Sequence, residues 1–121
     1  MGISSNKIYP VGVGFNLSEF KTTKCEDRGD YCVFVGRMAV DKGIFDLIKI
    51  WKNVTKVLSD SKLRVIGLPT EYTNYWMDKV KSEGLVGNIK YCGAVPRNKL
   101  LESLSRAIIF IFPSHVEGGG I

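Results

Sequence analysis

The chain predicts an α/β domain, a parallel sheet with helices on both faces, and two observations lead there. Four short apolar runs, Tyr31 to Gly36, Lys62 to Gly67, Asn88 to Gly93 and Ala107 to Phe112, have the length of strands. Between them apolar residues recur at helical period. Strands that alternate with helices pair in parallel through crossovers, and the helices then cover the sheet on both sides.

The elements follow in order. Residues 1–30 stand outside the alternation: Tyr9-Pro10, Gly12, Gly14 and the charged stretch Lys24 to Asp30 read as an extended lead-in segment and a loop. The domain proper is residues 31–121. Tyr31 to Gly36 reads as a buried strand, and Ile44, Leu47, Ile48, Trp51, Val54 and Leu58 mark a helix that ends at Ser59-Asp60-Ser61. After the strand from Lys62, Tyr72, Tyr75, Trp76 and Val80 mark one face of a second helix stopping at Gly84, a residue suited to a helix C-terminus. The strand from Asn88 leads to a third helix behind Pro96, marked by Leu100, Leu101 and Leu104. In the common doubly wound order, strand 1 lies between strands 2 and 4, and a crevice opens between strands 1 and 4 at their carboxyl ends.

Composition narrows the function classes. With 121 residues, 45% of them hydrophobic and 24% charged, the chain makes one globular domain and has no room for a second. No apolar run approaches the roughly 18 residues that span a bilayer. Met1 to Lys7 lacks the apolar stretch of a secretory signal, so the expected location is cytoplasmic. Cys25, Cys32 and Cys92 are odd in number and without metal-ligand spacing, which argues against a disulfide scaffold or zinc site; Cys32 and Cys92 read as small core residues. The net charge of +5 is spread along the chain without a dense basic run, so nucleic acid is not an expected partner. Lys49, Lys52 and Lys56 recur at helical spacing and would suit weak attraction to an anionic membrane surface, at the inner face of the membrane.

Two motifs carry the chemistry. Gly36-Arg37 through Lys42-Gly43 follows strand 1, and Pro113-Ser114-His115-Val116-Glu117 with Gly118, Gly119, Gly120 and Ile121 follows strand 4. Arg37 offers a planar fork for two phosphate oxygens and Lys42 a point charge, so together they offset a diphosphate without a metal. No DxD sequence or cluster of His and carboxylates suits magnesium or manganese, and no metal or other cofactor is expected. The glycines let backbone approach a ligand closely, leaving Glu117 to hydrogen-bond sugar hydroxyls. Taken singly, each motif is more often a surface loop; their placement on the two strands flanking the crevice favours a site. His115, the only histidine, reads as a loop-packing or substrate-edge residue, since no Ser or Cys nucleophile accompanies it.

These residues resemble the C-terminal, donor-binding half of a GT-B glycosyltransferase of family 4. Ile8 to Phe15, with Phe20 beyond, is similar to the family's lead-in "IPNGVD...F", with Val11 and Gly14 in place of Asn and Asp. Phe34-Val35-Gly36-Arg37 to Lys42-Gly43 resembles its "VGR...KG" clamp, and Leu63 to Gly67 its "L.IVG", departing at Leu68-Pro69. Ile89 to Val95 resembles "V.F.G.V", and Pro113 to Ile121 resembles "PS..EGFG", with Gly119 where Phe is common. The resemblance implies a Rossmann-like fold and a retaining, metal-independent hexosyl transfer from a UDP-, GDP- or ADP-sugar. It implies that Gly36, Arg37 and Lys42 hold the donor diphosphate and that Val95 lies against the base. Glu117 would contact the transferred sugar as the catalytic carboxylate, with Gly118, Gly119, Gly120 and Ile121 beside the ligand. It also implies a shortened donor domain. The second glutamate of the E-x7-E pair would fall beyond Ile121, and the acceptor-binding domain would be absent, so the chain alone is not expected to complete the reaction.

Alternatives from other classes stay open at this point. One is a non-catalytic nucleotide-binding module, or the donor subunit of a split transferase partnered by an acceptor-binding subunit. Another is an interaction or remnant domain without ligand.

Overall fold

A computed structural model describes residues 2, 4–9, 12, 14, 16–19 and 28–118. Its sheet consists of β1 (Tyr31–Val35), β2 (Lys62–Ile66), β3 (Ile89–Gly93) and β4 (Ile109–Phe110), all parallel, in the order β3-β2-β1-β4. The crossovers are α1 (Ile44–Val57), α2 (Thr73–Ser82) and α3 (Arg97–Arg106). This is the Rossmann-like α/β fold, with β1 between β2 and β4 as the topology rule requires.

Strand alternation sorts the core into two layers. Phe34, Leu63, Val65 and Ile89 face α1 and α2 and pack with Ile44, Leu47, Ile48, Trp51, Trp76 and Val80. Tyr31, Val33 and Ile66 point to the other face, where Leu100 and Leu104 of α3 meet them. Trp76 is fully buried and its indole Nε1 donates to the Ile44 carbonyl at 2.7 Å, so the bulkiest residue of α2 also fixes the start of α1. The chain leaves α2 through Gly84 at φ +70, with the Leu85 amide donating back to Val80.

Two expectations change. Tyr72 and Tyr75 do not belong to the core face of α2; Tyr72 precedes the helix, Tyr75 is 62% exposed, and the buried positions are Thr73, Trp76 and Val80. Thr73, Trp76 and Val80 recur at i, i+3 and i+7 and form one stripe, while Tyr75 sits about 100° round the helix from Trp76 and rests on Phe45 instead. The apolar run from Ala107 to Phe112 forms a ladder of only two residues, Cys32 to Ile109 and Val33 to Phe110. Among the described residues β4 pairs with β1 alone, and Ile108, Ile109 and Phe110 are about half exposed. Cys32 and Cys92 are half-buried against the two layers, and burial raises the Cys32 thiol pKa; Cys25 lies outside the described residues. Among the described residues, no helix is long and apolar enough to cross a membrane.

The contrast between β1 and β4 predicts unequal costs. Phe34→Ala, which empties a fully buried site, should cost about 3–5 kcal/mol, whereas Phe110→Ser should cost under about 1 kcal/mol. Urea denaturation of the two variants measures the difference.

Candidate functional site

The carboxyl ends of the strands are joined by close backbone packing. Met38 is fully buried beneath the loop after β1, its amide donating to the Leu68 carbonyl at 3.0 Å and its carbonyl accepting from the Thr70 hydroxyl. A Cβ on Gly67 would lie 1.7 Å from the Gly36 carbonyl oxygen, so the loops after β1 and β2 touch through bare backbone. Arg37 sits on this fastened loop with its side chain exposed, and among the described residues it forms no ion pair.

From there Val40–Lys42 makes a single 3-10 turn into Gly43, whose φ of +74 leads directly into α1. A Cβ at Gly43 would fall 2.1 Å from the Pro113 carbonyl oxygen. Only glycine fits, and its absence of a side chain lets the loop after β4 dock on the start of α1. The His115 amide then donates to the Asp41 carbonyl at 2.8 Å.

This docking brings Lys42 and Glu117 together across 75 residues: Lys42 Nζ lies 2.5 Å from Glu117 Oε1. Ser114 Oγ is 2.6 Å from the same carboxylate oxygen, 3.1 Å from the Val116 carbonyl and 3.3 Å from that of Asp41. A hydroxyl has one proton to give, and the charged carboxylate is its nearest and strongest acceptor. Hydrogen bonding from Lys42 first, and from Ser114 second, lowers the Glu117 pKa below the ordinary glutamate value. Beside this pair, His115 Nε2 lies 2.5 Å from Asp46 Oδ2 in the first turn of α1, and Lys49 stands 3.6 Å from the other oxygen. The His115 hydrogen bond is the main reason the Asp46 carboxyl pKa is lowered.

The predicted residues divide accordingly. Lys42 and Glu117 are in contact, and Arg37 borders a cleft of about 580 Å³ that it shares with Asp41, Thr70, Tyr72, His115 and Val116. Gly36 lies at the β1–β2 loop contact, its amide donating to the Ile66 carbonyl at 3.0 Å. The Val95 side chain packs into the α3 layer. Gly118 is exposed, and Gly119, Gly120 and Ile121 lie outside the described residues. Sequence reasoning missed Ser114 and Asp46 as partners. The Ser-x-x-Glu spacing of Ser114 and Glu117 was the available signal, since that interval recurs where a hydroxyl and a carboxylate share a turn. Among the described residues, no three His, Cys, Asp or Glu side chains gather as metal ligands.

A second recess, of about 610 Å³, opens at the amino ends of the strands near Asp30, Lys62 and Lys90. It contains none of the predicted residues, and open parallel sheets bind ligands at the carboxyl ends, so the Arg37 cleft is the candidate site.

The family described as glycosyl transferases group 1 matches residues 17–121. No curated protein matches the chain. Among solved structures, the C-terminal domain of LpcC, a glycosyl transferase group 1 family protein from Francisella tularensis, is similar at 23% identity with a TM-score of 0.76. That match covers 89% of this chain and 63% of the other, so the chain spans less than two thirds of that domain. Sucrose-phosphate synthase from Thermosynechococcus elongatus matches at 20% identity and a TM-score of 0.73, covering 89% of this chain and 29% of the enzyme. S. aureus TarM, as a variant in complex with fondaparinux, alpha-GlcNAc-glycerol and UDP, matches at 17% identity and a TM-score of 0.63, covering 77% of this chain and 20% of TarM. At these identities the structural likeness establishes the fold.

The geometry makes a pH prediction. The Glu117 pKa is lowered on folding, so its contact with Lys42 adds stability above the ordinary glutamate pKa, and that stability is lost as pH falls through the lowered value. Carboxyl-detected NMR titration should place the Glu117 midpoint below that of an unperturbed glutamate, and Lys42→Ala should move it upward. Gly43→Ala should cost about 2 kcal/mol or more, read as a lower Tm, because both its φ and the Pro113 contact are violated.

Proposed function

The chain belongs to the glycosyl transferases group 1 family, and on that premise we propose that it is the donor-binding domain of a family 4 transferase, taking a nucleotide-diphospho-sugar. The observation that carries the reading is the Lys42–Glu117 contact at the carboxyl edge between β1 and β4, with Arg37, on the same loop as Lys42, lining a cleft with His115 and Val116.

Each group has a role suited to its chemistry. Arg37, exposed on a loop held from below by Met38, presents two parallel N–H donors to phosphate oxygens. Lys42 adds a compact charge at the start of α1, where the helix amides of the first turn also favour an anion. As the glycosidic bond breaks, the diphosphate leaves with one more negative charge. Two fixed cations then stabilise it without reorganising, which is the electrostatic part of the catalysis. Those cations fill the place a divalent ion takes in metal-dependent transferases, so the reaction is metal-independent. Glu117 accepts hydrogen bonds from hydroxyls of the transferred sugar. The acceptor is bound by a separate domain or subunit.

Thermal unfolding tests the reading with UDP, GDP and ADP, each beside Arg37→Ala. A nucleotide at a hundred times its Kd should stabilise the chain by about 2.7 kcal/mol, a shift of several degrees at this size. One nucleotide should give that shift and Arg37→Ala should abolish it; equal shifts in both proteins would refute the clamp.

A further inference from the structure

We propose that Glu117 competes with the donor diphosphate for Lys42, and thereby discriminates the sugar-bearing donor from the bare nucleoside diphosphate left after transfer. The inference rests on the donor-clamp reading above and concerns which ligands that clamp retains.

The two cations of the clamp are not equivalent. Arg37 is exposed and pairs with no carboxylate among the described residues, so an anion reaches it directly. Lys42 is guarded. Its side chain is 21% exposed, its ammonium lies 2.5 Å from Glu117 Oε1, and Asp41 Oδ2 stands 4.0 Å away. The Lys42 ammonium spends one of its three donors on Glu117, so a phosphate drawn to Lys42 competes with the Glu117 carboxylate for the same charge and, anion against anion, pushes it aside.

What becomes of that carboxylate decides the balance. Ser114 Oγ, 2.6 Å from the same oxygen, stays within reach and keeps Glu117 at the site. The segment itself is held by the His115 amide on the Asp41 carbonyl and by the His115 ring on Asp46. Displacement is thus a side-chain rotation on a docked loop. When the ligand carries a sugar, its hydroxyls replace Lys42 as donors to Glu117, and the exchange is close to balanced. When the ligand is a bare diphosphate, the carboxylate gives up its ion pair and is left with Ser114 and water. Glu117 returning to Lys42 opposes retention of that product.

Titration calorimetry of the full chain with inorganic pyrophosphate and with orthophosphate provides the test. Glu117→Gln should tighten pyrophosphate binding about two- to fivefold, the range set by partly exposed ion pairs. Orthophosphate, which Arg37 alone accommodates, should be unaffected. Glu117→Ala should tighten pyrophosphate in the same sense, which guards against a fault peculiar to the amide. In a Lys42→Ala background the gain should vanish, because the contested ammonium is gone. Unchanged or weaker pyrophosphate binding in both Glu117 variants would overturn the proposal. So would an equal gain in the Lys42→Ala background, which would reflect only the removal of a negative charge. If Arg37→Ala leaves pyrophosphate binding intact, or the unaltered chain does not bind it, the clamp itself falls and the competition with it.

Discussion

A side chain at position 43 would place its Cβ 2.1 Å from the Pro113 carbonyl oxygen, and the rest of the site depends on that space being empty. Gly43 does two things at once. Its positive φ turns the loop after β1 into α1, and its bare backbone lets the loop after β4 lie directly on that junction. Parallel pairing of β1 with β4 aims both loops at the same edge, but the ladder is only two residues long. Backbone packing at Gly43 and the His115–Asp41 hydrogen bond finish the alignment that brings Lys42 and Glu117 into contact.

The charges at this edge form a connected set. Lys42 answers Glu117 and, at longer range, Asp41; His115 and Lys49 answer Asp46. The Lys42–Glu117 and His115–Asp46 contacts tie the loop after β4 to the start of α1, so electrostatics and backbone packing act on the same joint. Pairs this exposed contribute little stability singly. Their value lies in orientation: they hold the Glu117 and Asp46 carboxylates and the Lys42 ammonium in a fixed relation at one edge of the sheet.

Much of the architecture was legible because it is written in local periodicity. Ile44, Leu47, Ile48 and Trp51 mark the buried face of α1 in sequence and in the fold alike, and the runs at Tyr31 and Lys62 become the central strands. The order β3-β2-β1-β4 followed from general topology and places the two motifs on neighbouring strands. What periodicity could not reveal was coverage. Ala107 to Phe112 is as apolar as a buried strand, yet whether such a run is covered depends on its neighbours, and among the described residues Ile109 and Phe110 pair with β1 alone. Tyr75 misled for a similar reason, since its ring rests on Phe45 at the rim, with centroids 5.7 Å apart, instead of entering the core. At the site, residue types pointed to Arg37, Lys42 and Glu117, but the Ser114 and Asp46 partnerships span elements and needed the folded chain.

Backbone amide NMR of the full chain, titrated with the nucleoside diphosphate that stabilises it, tests the location of the site most directly. Shift changes should concentrate at Gly36 to Asp46 and at Ser114 to Gly118, with little response at the amino ends of the strands. Changes centred on Asp30, Lys62 and Lys90, with Arg37 and Lys42 unmoved, would contradict it.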